Sequence, residues 1–82
     1  MNETDRKRRN SLLASIAFDN GTSMARRLRV DLEDVHGIAV TLDRVRADLR
    51  CLADVGAVTL NGDMVMLTAE GREHVQRLRD LF

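Results

Sequence analysis

Apolar side chains recur at helical spacing through the first part of the chain. Leu12, Leu13, Ile16 and Ala17 fall on one face. They predict a helix capped at Asn2 or Thr4 that runs to about Phe18. Asp19-Asn20-Gly21 ends it, because Gly21 takes a positive φ at no steric cost. Thr22 or Ser23 then reads as the cap of a second helix, with Met24, Leu28, Leu32 and Val35 as its buried stripe. His36 to Val40 is a short apolar connection in which Ile38 and Val40 can pair as a brief strand. Thr41 caps a third helix. Leu42, Val45, Leu49 and Leu52 face inward, and Asp43, Arg44, Arg46, Ala47, Asp48 and Arg50 face outward. Gly56 closes this helix as a left-handed cap.

The spacing changes at VTLNGDMVMLTAEG, residues 58–71, where apolar and polar positions alternate on both sides of a turn. A turn at Gly62-Asp63 sets Asn61 against Met64, Leu60 against Val65 and Val58 against Leu67. One face is then wholly apolar. A turn one residue earlier would carry Asp63 to that inner face, so burial selects the first register. Thr68 caps a fourth helix, with Val75, Leu78 and Phe82 inward. A two-stranded hairpin is marginal alone and must lean on helices. The order helix, helix, helix, hairpin, helix predicts a mainly α fold with a small β-hairpin, the winged helix-turn-helix.

Composition narrows the picture. A chain of 82 residues makes one domain, 1–82, with residues 1–5 the candidate for disorder. It lacks Trp, Tyr and Pro, and its two Phe are Phe18 and Phe82, so the core must be aliphatic. A domain of this size buries roughly 60–65% of the surface of its unfolded chain, and its core is thin. No apolar run approaches the roughly 18 residues of a membrane span, and the basic start lacks the apolar stretch of a signal peptide. One cysteine, Cys51, allows no internal disulfide. A cytoplasmic protein of a reducing compartment fits these features. Net charge is zero but uneven. Residues 1–29 hold seven basic side chains against three acids, and residues 30–82 hold six against ten. The field suggests a basic edge rather than a basic body.

LDRVRADLRCLADVGAVTL, followed by VMLTAEGREHV, resembles the recognition helix, wing and LT-x-x-G helix start of winged-helix regulators. More closely, residues 10–77 resemble small winged-helix proteins of Mu-like phages and prophages. The resemblance implies the fold. For function it implies either of two roles, because winged helices also serve as protein-binding and dimerisation modules.

The candidate sites follow from the elements. The third helix would lie in the major groove, with Arg44, Arg46 and Arg50 on guanine or phosphate beside the capping Thr41. Asp43 and Asp48 among them would repel phosphate. Thr22, Ser23, Arg26 and Arg27 could clamp a DNA backbone at the start of the second helix. Arg26, Arg27 and Arg29 precede Asp31, Glu33 and Asp34, an order that opposes the helix dipole and that a pair such as Arg27 with Asp31 would offset. The wing offers Thr59, Asn61, Gly62, Asp63 and Met64, with no positive charge, so a core-closing hairpin is expected rather than one that reaches DNA. Met64, Met66, Leu81 and Phe82 form a candidate self-association or partner surface, pointing to a homodimer. His36, His74 and Cys51 lack the close spacing of metal or catalytic sets, and no enzyme, cofactor, metal or small-molecule substrate is expected. Two functions result: a small phage-type regulator that binds double-stranded DNA, or an adaptor that binds protein, as a phage assembly factor or an inhibitor of a host complex.

Overall fold

The first helix starts where the sequence supplies a cap. Asn2 turns its side chain back to accept the N–H of Asp5 at 2.7 Å, and Glu3 and Asp5 place negative charge in the first turn. The computed structural model describes residues 2–80. Their elements are α1 (Glu3–Phe18), β1 (Thr22–Met24), α2 (Ala25–Asp34), α3 (Leu42–Asp54), β2 (Val58–Asn61), β3 (Met64–Leu67) and α4 (Ala69–Asp80). Glu3, Thr4 and Asp5 form the first turn of α1. Its end is made by Asn20 and Gly21 together, at φ 66° and 92°, and the Gly21 N–H donates to the Ile16 carbonyl at 2.9 Å.

The chain then departs from the expected second helix. Thr22 and Ser23 do not cap it. They belong to a strand, paired antiparallel with β3 at Thr22↔Met66, Ser23↔Val65 and Met24↔Met64. The sheet has three strands in the order β1-β3-β2, not the two of a bare hairpin. Helix α2 begins without a side-chain cap, and its first N–H, on Ala25, donates instead to the Asp63 carbonyl at 3.0 Å. Ala25, Leu28 and Leu32 make its buried stripe, while Met24 and Val35 are 49% and 72% exposed. Strand pairing explains the change: alternation in β1 turns Ser23 inward and Met24 outward. Ile38 and Val40 form no strand. They pack against the core from a loop, where the Ile38 N–H donates to the Leu32 carbonyl at 2.8 Å.

Helix α3 is capped by Thr41, whose hydroxyl accepts the Arg44 N–H at 3.1 Å. Val45, Leu49 and Leu52 are buried as expected, with Leu42 packed at the core margin. Asp48 is not on the outer face. It is fully enclosed. Its Oδ1 accepts from Arg8 Nη2 at 3.0 Å and from Arg9 Nε at 3.1 Å, and its Oδ2 accepts from Arg8 Nε. Arg8 also donates to Asp5 at 2.8 Å. The hydrogen bond to Asp48, against the opposing effect of burial, raises the Arg8 pKa above its ordinary value. A buried carboxylate is tolerable only with such partners, and here two arginines of α1 supply them.

The hairpin adopts the expected register: Val58↔Leu67, Leu60↔Val65 and Asn61↔Met64. Gly62 holds φ 61° at the first turn position, as a tight hairpin of the II′ kind requires. Val58, Val65 and Leu67 seal the core, with Leu60 at its margin. Thr68 caps α4 by accepting the Gly71 N–H at 3.0 Å. Gly71 sits so close to the hairpin that a Cβ there would run into the Ala57 carbonyl oxygen. Val75 is buried and Leu78 half-buried, while Phe82 lies outside the described residues.

Two substitutions test this packing by urea unfolding. Leu49→Ala removes an enclosed leucine and should cost about 2–5 kcal/mol. Asp48→Ala leaves Arg8 without its main partner and should cost about 3–5 kcal/mol. A loss below about 1 kcal/mol from either would mean that α3 is turned differently against α1.

Candidate nucleic-acid interface

The start of α2, the outer side of α3 and the wing turn meet at Asp63. Its backbone carbonyl takes the first N–H of α2, and its carboxylate takes Arg46 of α3. Arg46 Nε donates to Oδ1 at 2.9 Å and Nη2 donates to Oδ2 at 2.7 Å, a two-pronged pair. These hydrogen bonds hold the Asp63 carboxyl below its ordinary value. Partial burial opposes them, and the charges of Arg46 and Arg26 add to them. The same pair raises the Arg46 pKa. Asp43 lies 3.9 Å from Arg46 Nη1, a salt-bridge distance without a hydrogen bond. Arg46, Leu49, Arg50, Leu60, Gly62 and Asp63 line a small cleft of about 190 Å³ between α3 and the wing.

The predicted DNA-binding residues divide into two groups. Arg26, Arg44 and Arg50 are exposed and form no ion pair among the described residues. They stand at the start of α2 and on α3, with Arg26 close enough to Asp63 to act on its carboxyl. The charge of Arg44 is felt at Asp5 of α1. The other arginines of these two helices are engaged. Arg46 holds Asp63, Arg29 reaches Glu33 at 3.7 Å, and Arg27 pairs with Asp19 at 3.3 Å rather than with Asp31. The clamp expected from Thr22, Ser23, Arg26 and Arg27 at a helix start is not assembled. Ser23 is buried and donates to Asp19 at 3.1 Å, Thr22 lies on the outer face of the sheet, and the Ala25 N–H is already taken. The Thr41 hydroxyl is occupied as a cap.

Sequence reasoning missed two members of this region. Asp63 reads in the sequence only as part of a wing without positive charge; it is the partner of Arg46. Met24 was placed in a buried helical stripe; it stands beside Met64 on the outer sheet face. That face carries Thr22, Met66 and Thr59 in one row and Met24, Met64 and Asn61 in the next. Met64 and Met66 are exposed as expected, while Leu81 and Phe82 lie outside the described residues. His36 hydrogen-bonds Ser15 and His74 hydrogen-bonds Asn10, both at 3.0 Å, and Cys51 is exposed near Arg9. Among the described residues no helix is long and apolar enough to cross a membrane.

The Asp63 pair makes stability depend on pH with a definite sign. A carboxyl whose native pKa is depressed contributes stability above its unfolded value, here near 3.8, and loses it as pH falls through the lower native value. Wild type should therefore exceed Asp63→Asn in stability by a constant margin above about pH 5. The margin should shrink below pH 4. Thermal melts from pH 3 to 7 measure it, and a margin that grows in acid would contradict the pairing.

No protein-family model matches the chain, and no curated protein matches it. Among solved structures it is similar to F93 from STIV, described as a winged-helix DNA-binding protein. The match has a TM-score of 0.74 at 17% identity, over 89% of this chain and 84% of that one. An identity this low speaks to the fold. Four helices, the hairpin after the third and the three-stranded antiparallel sheet agree with that match: the chain has the winged helix-turn-helix fold.

Proposed function

We propose that this chain is a small phage-type protein that binds double-stranded DNA as a homodimer and acts as a transcriptional regulator. The observation that carries the reading is the set Arg26, Arg44 and Arg50, exposed and without carboxylate partners among the described residues, on the two helices of the helix-turn-helix. Two acids that would have opposed them are neutralised within the fold: Asp48 by Arg8 and Arg9, and Asp63 by Arg46. The resemblance to small proteins of Mu-like phages and the likeness in fold to a DNA-binding viral protein support the same reading. In this arrangement α3 enters the major groove, Arg50 faces the bases or their phosphates, and Arg26 and Arg44 hold the backbone on either side.

A second reading has an observation of its own. Met24, Met64 and Met66 form an exposed, adaptable apolar face on the sheet, as a protein-binding adaptor would use. Such an adaptor would serve phage assembly or inhibit a host complex.

The two separate on salt dependence. Phosphate contacts release counterions, with a slope near −0.9 in log affinity against log salt per neutralised phosphate. Three available arginines give a slope of about −2.7 per chain, doubled for a dimer. Replacing Arg26 and Arg50 by Ala should flatten it by about 1.8 per chain. Fluorescence anisotropy on random duplexes over a salt series reads both numbers. Absence of binding at low salt would defeat the regulator and leave the adaptor.

A further inference from the structure

Arg46 differs from the other arginines of the interface because its orientation is already fixed. A guanidinium carries five N–H groups in one plane. Asp63 takes one from Nε and one from Nη2, and two parallel bonds to one carboxylate set both the direction and the tilt of that plane. What remains is the far edge, with both Nη1 hydrogens and the second Nη2 hydrogen. Among the described residues the nearest further carboxylate oxygen, Asp43 Oδ1, is 3.9 Å from Nη1 and makes no hydrogen bond to it. The Arg46 side chain is still 36% exposed, and it lines the cleft between α3 and the wing.

We propose that Asp63 is a positioning residue that aims Arg46 at guanine, so that the protein reads a G·C pair at one position of its site. The inference rests on the DNA-binding reading and adds to it the base that is recognised. Guanine presents N7 and O6 side by side in the major groove, and two N–H groups of one arginine match them. The far edge of Arg46 offers two such groups. Pairing with Asp63 also removes the net charge that would draw Arg46 to a phosphate. The rotamer freedom of a long side chain is surrendered on folding rather than on binding. Arg46 thus trades general affinity for discrimination, while Arg26, Arg44 and Arg50 supply the affinity. Asp63 can do this because its own place is set twice, by Gly62 in the turn and by the Ala25 N–H on its carbonyl.

The test is selection of bound sequences from a randomised duplex pool, followed by anisotropy on the selected duplex and its single-base variants. Wild type should prefer guanine at one position by about 5- to 150-fold. Arg46→Lys, which keeps the charge without the planar fork, should lose that preference. Asp63→Asn should bind random duplex as well or better, with a salt slope steeper by about 0.9 as the released Arg46 meets a phosphate. Its preference at the same position should fall about fivefold or more. An anchor that merely holds the wing would leave base preference unmoved, so an unchanged guanine preference in Asp63→Asn overturns the proposal. Circular dichroism checks the fold. If Asp63→Asn fails to fold, Asp63→Glu decides: displacing the carboxylate by one methylene should lower the preference, and full retention overturns the proposal. Wild type that binds DNA without base preference overturns this inference alone. Wild type that binds no DNA at low salt overturns the DNA-binding reading with it.

Discussion

The antiparallel pairing of Thr22–Met24 with Met64–Met66 positions every part of the candidate interface. A two-stranded ribbon is marginal in water, and a third strand with one buried face makes it a sheet. Here the inner face presents Val58, Val65 and Leu67 to a core completed by Leu12, Ile16, Leu28, Leu32, Val45 and Leu49. The same pairing delivers the chain into α2 directly above the wing turn, so that the Ala25 N–H finds the Asp63 carbonyl. Arg26 therefore stands beside Asp63, and Arg46 of α3 closes on it from the other side. Two helices and the wing are joined through a single turn residue.

Charge is arranged on that frame with little to spare. The chain carries 13 basic and 13 acidic residues, so overall field cannot draw it to a polyanion. Local pairing does what net charge does not. Asp48 is withdrawn from the surface of α3 and absorbed by Arg8 and Arg9. That contact also ties α1 to α3, since leaving either arginine or the carboxylate unpartnered in the interior would cost far more than a surface pair is worth. What the outer side of α3 and the start of α2 retain is a short positive edge flanked by Asp43, a surface suited to modest affinity.

Much of this was legible in the sequence wherever one local rule had one answer. The hairpin register was readable because only a Gly62-Asp63 turn puts Val58, Leu60, Val65 and Leu67 on one face. Caps at Thr41 and Thr68 were readable because each precedes an apolar helical period, whereas the first helix offered two candidates, Asn2 and Thr4, of which Asn2 is the cap. Strand β1 was not. Three residues carry no period, and Thr22 and Ser23 have the side chains of helix caps; their true partner lies beyond two helices in the chain. Asp48 hid for a related reason. Its spacing from Val45 and Leu52 puts it within the buried arc of α3, but an acid is seldom enclosed unless paired. Its partner Arg8 lies 40 residues away. The Arg46–Asp63 pair likewise joins two elements that no periodicity connects. The fold was written in local patterns, and the site depends on long-range pairs.

The claim that α3, the start of α2 and the wing turn form a DNA-binding surface is tested most directly by titrating the ¹⁵N-labelled protein with a short duplex at low salt. Amide shifts should move around Arg26, Arg44, Arg46, Arg50 and Gly62, with the side-chain Nε–H of Arg46 among the largest changes. The amides of Ser11, Ala14 and His74, which line a cleft between α1 and α4, should stay in place. Shifts confined to the outer sheet around Met24, Met64 and Met66, or no shifts at all, would contradict it.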